Sequence, residues 1–203
     1  MRKIILASGS PRRRELMAEA GLAFEVEISH KEEVIGEWTP EETVCQLSLQ
    51  KAEDIASQHD EDCIVIGSDT VVAYDHQILG KPADAEDAFR MIRMLQGDVH
   101  QVYTGVTIIS GDKENRQVIT FAEKTDVLFY PMSDETIRRY IETGYPDGPN
   151  EKGMLSWQDK AGAYGIQDGF GKRYIKGIHG DFYTVMGLPV GRLCHELEKA
   201  GLL

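Results

Sequence analysis

Cysteine is scarce in this chain, and its three copies, Cys45, Cys63 and Cys194, are odd in number, widely separated and without a C-x-x-C pair. That excludes a disulfide framework and a zinc ribbon and leaves the cysteines as small core residues. The six histidines offer no pair at helical ligand spacing, and His195-Glu196 lacks the second histidine of H-E-x-x-H, which argues against a histidine-zinc centre. Long apolar runs are missing as well. Residues 4–7 are followed at once by Ser8, Gly9 and then three arginines. The run is well short of the roughly 18 residues of a membrane helix and the roughly 7–15 of a signal-peptide core. A cytoplasmic chain with no membrane role is the expectation. Positive charge is in deficit: 22 Lys+Arg stand against 34 Asp+Glu, for a formal net charge of -12. Such a molecule repels nucleic-acid backbones and anionic membranes, so any anionic ligand must find a local basic pocket.

What is present is the profile of a soluble globular protein: 203 residues, 41% hydrophobic and 28% charged, with no internal repeat. Strand-like and helix-like segments alternate over the whole length, which points to an α/β or α+β fold in a single domain, residues 1–203. Residues 3–7 read as a buried strand, followed by a helix capped by Ser10 with Pro11 at its first position and Gly21 at its close. Residues 24–28 alternate like a second strand. Thr39-Pro40-Glu41-Glu42 is a capping box that opens a helix to about Gln58. Residues 63–67 and 70–74 are β-branched runs that Ser68-Asp69 is expected to interrupt, and Asp75-His76 turns the chain toward residues 77–79. Asp84 caps a further helix ending by Gly97, residues 99–110 and 117–130 read as an antiparallel pair, and Ser133 opens a helix closed by Gly144. Residues 145–160 form the clearest long loop, and a last helix is expected over 190–200.

Three features bear on chemistry. Arg12, Arg13 and Arg14 occupy the first turn of a helix, where cations oppose the macrodipole by about 0.3–1 kcal/mol each and an anion is favoured. A bound phosphate would reverse that sign, and Ser8 and Gly9 supply the hydroxyl and close backbone approach a phosphate cradle needs. The plainer reading is a solvated charge run. Lys51 is the second feature: it falls on the apolar stripe of Val44, Leu47 and Ile55, so it either snorkels or meets a partner inside. Third, Asp69 follows a buried run, where open α/β sheets place ligands, although a turn-forming aspartate is the simpler account. Glu32 and Glu33 can bring a further carboxylate to the same edge, and two carboxylates with phosphate oxygens suit Mg²⁺. Lys81, between Gly80 and Pro82, is a further candidate for phosphate.

Four motifs, LASGSPRR (6–13), GSDT (67–70), GKP (80–82) and DKAGAYGIQ (159–167), together and in this order resemble the Maf family of nucleoside triphosphate pyrophosphatases, over nearly the whole chain. The resemblance implies a Maf/inosine-triphosphatase-like α/β unit, with a mixed twisted sheet, flanking helices and a cleft between two lobes. It implies cleavage between the α- and β-phosphates of a nucleotide with a divalent cation, Mg or Mn, and a homodimer. By position, Asp69 is similar to the family's proton acceptor and a metal-side carboxylate, and Glu33 to its acidic partner. Ser8, Arg12, Arg13, Lys51 and Lys81 are similar to the triphosphate-binding set. Arg12, Thr70 and Gln167 resemble the pattern of the branch acting on dTTP and UTP. A glutamine amide matches the N3–H and O4 edge shared by thymine and uracil, which modified uridines also carry.

Two departures accompany the match. Residues 145–160 are longer than the family's usual connection and read as a lid, a dimer contact or a passive surface loop. The stretch DGFGKR (168–173) stands out as charged for its place. The rival reading from another class is a non-catalytic nucleotide-binding regulator of cell division. Direct DNA binding is disfavoured by the acidic charge, and a serine hydrolase by the missing G-x-S-x-G elbow.

Overall fold

Side-chain caps fix the starts of the three helices that follow Thr39, Asp84 and Ser133. In the computed structural model, which describes residues 2–203, β1 (Lys3–Leu6) leads through Ser8 and Gly9 into α1 (Pro11–Glu19). After the short β2 (Glu25–Val26), α2 (Pro40–Ala56) opens on a complete capping box. The Thr39 hydroxyl accepts from the Glu42 N–H at 3.3 Å, and the Glu42 carboxylate accepts from the Thr39 N–H at 2.9 Å. β3 (Cys63–Tyr74) and β4 (Gln77–Leu79) are joined by Asp75 and His76, both with left-handed φ (46° and 61°), the conformation of a two-residue hairpin turn. Then follow α3 (Ala85–Leu95), β5 (Val99–Gly111), β6 (Gln117–Phe129) and α4 (Asp134–Thr143). The chain ends with α5 (Gly169–Tyr174), β7 (Ile175–His179), α6 (Phe182–Met186) and α7 (Val190–Lys199). Strands hydrogen-bond in the order β2-β1-β3-β5-β6-β7 with β4 on β3. β1 is parallel to β2 and β3, while β4 and β7 run antiparallel to β3 and β6, so the sheet is mixed. No helix among the described residues is long and apolar enough to cross a membrane.

Two expectations need correction. The second strand shrinks to two residues, and β3 is continuous through Ser68-Asp69. Serine and aspartate usually favour turns because their side chains compete for nearby backbone. Here both find distant partners instead: the Ser68 hydroxyl donates to the Gly187 carbonyl at 3.1 Å, and the Asp69 carboxylate takes Lys51.

The chain divides into two compact units. The first takes the chain up to Thr70, Tyr103–Glu123 and Gly187–Leu203. Its core includes Ile5, Val65 and Ile109 from the strands and Ala52 and Ile55 from α2. Glycines set how close α2 lies to the sheet. A Cβ on Gly67 would overlap the Ser48 carbonyl oxygen, and one on Gly105 would overlap the Val44 carbonyl oxygen one helical turn earlier. We therefore expect Gly67→Ala to destabilise the fold by about 3 kcal/mol, through helix displacement rather than lost contacts. Chemical denaturation checks this, and unchanged stability would show that α2 has room to shift.

The second unit takes Val71–Val102 and Lys124–Met186. Its core is aromatic: Phe170 stacks on Tyr140 with ring centroids 3.8 Å apart, and Phe129 meets Tyr164 edge-on. The charged 168–173 stretch thereby has its account, since it carries Phe170 inward on α5. The long loop is anchored and is not merely a surface excursion. Within its 3₁₀ turn, Ser156–Asp159, Trp157 is buried and its Nε1–H donates to the Ile141 carbonyl at 2.9 Å.

Candidate functional site

The site assembles where β1 ends and β3 continues. Leu6 is opposite Ile66, the Ala7 N–H still donates to the Ile66 carbonyl at 2.8 Å, and the chain then leaves the sheet for α1. Residues 67–70 of β3 lie just past that departure. Successive side chains of a strand point to opposite faces, and both faces are used. Gly67 and Asp69 meet α2, whereas Ser68 and Thr70 meet Gly187 and Arg13.

On the α2 face, the Lys51 ammonium donates to Asp69 Oδ1 and lies 3.0 Å from Glu33 Oε1. The inward-facing lysine thus has its partner, and a snorkelling role alone is insufficient. Lys51 and Asp69 are mostly shielded, while the Glu33 side chain is 41% exposed. One cation stands between two carboxylates, so the group is net anionic and visibly accommodates positive charge between its acids.

On the other face, Arg13 makes three hydrogen bonds with neutral acceptors. Its Nε donates to the Gly187 carbonyl at 2.7 Å, Nη1 to the Ser8 hydroxyl at 3.1 Å and Nη2 to the Thr70 hydroxyl at 3.1 Å. Loss of hydration pulls its pKa down to about 10, with nearby Asp69 acting in the opposite direction and Arg12 reinforcing the decrease. The guanidinium remains charged at neutral pH. Thr70 in turn hydrogen-bonds Thr104 at 2.9 Å, and Arg14 caps the Gly9 carbonyl at 2.7 Å. Arg13 is therefore both a staple across four segments and a concentrated positive charge at the start of α1, where the helix dipole already favours an anion.

The first unit accordingly brings together Ser8, Arg12, Arg13, Glu33, Lys51, Asp69 and Thr70. Lys81 and Gln167 belong to the second. Lys81 is exposed in the loop between β4 and α3. Gln167 follows a braced segment: the Lys160 ammonium donates to the Ser156 carbonyl at 2.7 Å and reaches Asp159 at 3.0 Å and Asp168 at 3.2 Å. The Oε1 atom of Gln167 is buried and has no hydrogen-bond partner among the described residues, an acceptor left for something else. Sequence reasoning missed the Gly187 carbonyl, which accepts from Arg13 and from Ser68 of β3 only through tertiary folding and carries no local signal.

Among the described residues, no three or more of His, Cys, Asp and Glu form a ready metal cage. Glu33 and Asp69 still fit a hard cation, because Mg²⁺-like ions keep waters and take one or two carboxylates together with substrate phosphates. The positive charge already seated between these two acids shows that their spacing tolerates one.

A family model described as Maf-like protein matches residues 3–200. A dTTP/UTP pyrophosphatase from Agathobacter rectalis is 50% identical, covering 100% of this chain and 99% of its own. A dTTP/UTP pyrophosphatase from Bacillus cytotoxicus is 46% identical over 98% of this chain and 96% of its own. Among solved structures, the Ham1 protein of Staphylococcus aureus matches with TM-score 0.40 and 13% identity, covering 80% of this chain and 85% of that one.

Proposed function

The chain belongs to the Maf-like protein family, and from that premise we propose that it is a nucleoside triphosphate pyrophosphatase acting on dTTP and UTP, and on pyrimidine nucleotides sharing their base edge. The observation that carries the reading is the Lys51 ammonium between Asp69 and Glu33, on the strand whose other face holds Arg13 at the start of α1. In this reaction water attacks the α-phosphorus, the bond to the α–β bridging oxygen breaks, and pyrophosphate leaves. Asp69 accepts the proton of the attacking water, and Lys51 holds the carboxylate in place through one oxygen. Arg13, Arg12 and Ser8, at the start of α1, bind phosphate oxygens and offset charge that builds as the bond breaks. Lys81 adds a further phosphate contact. Glu33 and Asp69 would hold a divalent cation, Mg or Mn, which when bound supplies charge neutralisation at the phosphates. Gln167 and Thr70 read the base, and the unpartnered Gln167 Oε1 supports this because thymine and uracil both present an N3–H donor. A single-domain, cytoplasmic homodimer is part of the same proposal.

Purified protein given dTTP or UTP with Mg²⁺ or Mn²⁺ is expected to release monophosphate and pyrophosphate in equal amounts, with purine triphosphates much poorer. Chromatography of the products checks this. Orthophosphate release would place the cleavage at another bond, and nucleotide bound but never consumed would favour the regulator.

A further inference from the structure

We infer that Gln50 is a positioning residue for Glu33, a two-point clasp that delivers the acidic segment to the site; this rests on the reading of Glu33 as a site carboxylate. Gln50 directly precedes Lys51 on α2, and its amide uses both ends on one residue of the facing segment. The Val34 N–H donates to Gln50 Oε1 at 2.8 Å, and Gln50 Nε2 donates to the Val34 carbonyl at 2.9 Å. The Val34 nitrogen belongs to the rigid peptide unit that begins at Glu33, so holding it fixes the plane on the C-terminal side of the Glu33 Cα. Lys51 then meets the carboxylate from the same helix. Adjacent helix residues thus grip Glu33 from backbone and side chain at once.

Magnitudes show why the clasp is needed. Residues 31–37 are exposed throughout, with Val34 and Ile35 at 66% and 72% exposure, so hydrophobic burial does not hold this segment. A half-exposed ion pair such as Lys51–Glu33 contributes little by itself, because solvent screens it. Two amide–backbone hydrogen bonds supply a comparable or larger contribution and, unlike the ion pair, fix direction. A second tie lies one turn along the same helix, where Ser29 Oγ donates to Asp54 Oδ2 at 2.7 Å, so α2 gathers residues 29–34 along one edge.

The test is a double-mutant cycle. Gln50→Met keeps the side-chain length and removes both hydrogen bonds, with Gln50→Ala as a second variant should Met fold poorly. Each is combined with Glu33→Gln. Measured are kcat, KM, the Mn²⁺ concentration for half-maximal rate, and the affinity of Mn²⁺ with a nonhydrolysable αβ-imido UTP. Gln50→Met is expected to raise the Mn²⁺ requirement and weaken the analogue complex about tenfold, with the thermal midpoint almost unchanged. The double variant is expected to match Glu33→Gln alone, because the clasp acts through that carboxylate. Losses that multiply in the double variant would overturn the inference, as would a normal Gln50→Met enzyme beside an impaired Glu33→Gln. A fully active Glu33→Gln would instead overturn the assignment of Glu33 itself, and the clasp with it.

Discussion

Asp69→Asn is expected to abolish hydrolysis, lowering kcat by about 10²–10⁴-fold, the contribution of a positioned general base, while nucleotide affinity stays within a few-fold of the parent. Asparagine keeps the size of the side chain and an oxygen for the Lys51 ammonium, so the contact on the α2 face survives. What it lacks is the capacity to take a proton from water. Affinity is retained because the phosphate-binding cations lie mainly on the other face of β3, around Arg13. Rapid-quench turnover and calorimetric titration with a nonhydrolysable analogue separate the two effects. Turnover near the parent rate would remove Asp69 from its role, and binding lost in step with turnover would make it chiefly a ligand-holding group.

Arg13→Lys is expected to cost about 10²–10³-fold in kcat/KM, even though charge is conserved. A lysine ammonium cannot reproduce a planar fork that meets the Gly187 carbonyl, the Ser8 hydroxyl and the Thr70 hydroxyl together. Losing two of those three bonds also lowers folding stability by about 1–3 kcal/mol. Burial already disfavours the charged guanidinium, which is why its pKa falls to about 10. The same burial makes a polyanion at the start of α1 unusually effective as a counter-charge. Pyrophosphate is accordingly expected to raise the thermal midpoint of the parent protein and to leave that of Arg13→Lys nearly unmoved. Equal shifts in both proteins would place the polyphosphate away from Arg13.

Local signals were legible in the sequence, and contacts across long stretches of chain were not. The Thr39–Glu42 box, Asp84, Ser133 and Gly144 each announce a helix end through short-range hydrogen bonding, while Ser10-Pro11 marks the start of α1 through the fixed backbone of proline, the Ser10 hydroxyl making no cap hydrogen bond. Lys51 was visible as a cation on an apolar stripe, but its position says nothing about which acid it meets. The Ser68-Asp69 pair was misleading as a strand break, since its partners lie at Lys51 and Gly187, out of reach of any local pattern. Trp157 could be seen in the long loop, yet its seat beneath α4 depends on the Ile141 carbonyl and surrounding aromatic rings. Gln50 was wholly silent, because a polar residue on a helix flank has no periodicity to betray a backbone partner sixteen positions upstream.

The alternation of side chains along β3 has an evolutionary consequence. Deleting or inserting a single residue between Cys63 and Gly67 would exchange the two faces downstream, setting Asp69 toward the guanidinium and a hydroxyl over the ammonium. The hydrophobic run is nearly uniform there, but the slip would also seat a side chain where Gly67 meets the Ser48 carbonyl oxygen, so chemistry and folding would suffer together. Length drift among active descendants of this chain should therefore accumulate in the connection at 57–62, with the count from Cys63 to Thr70 held constant.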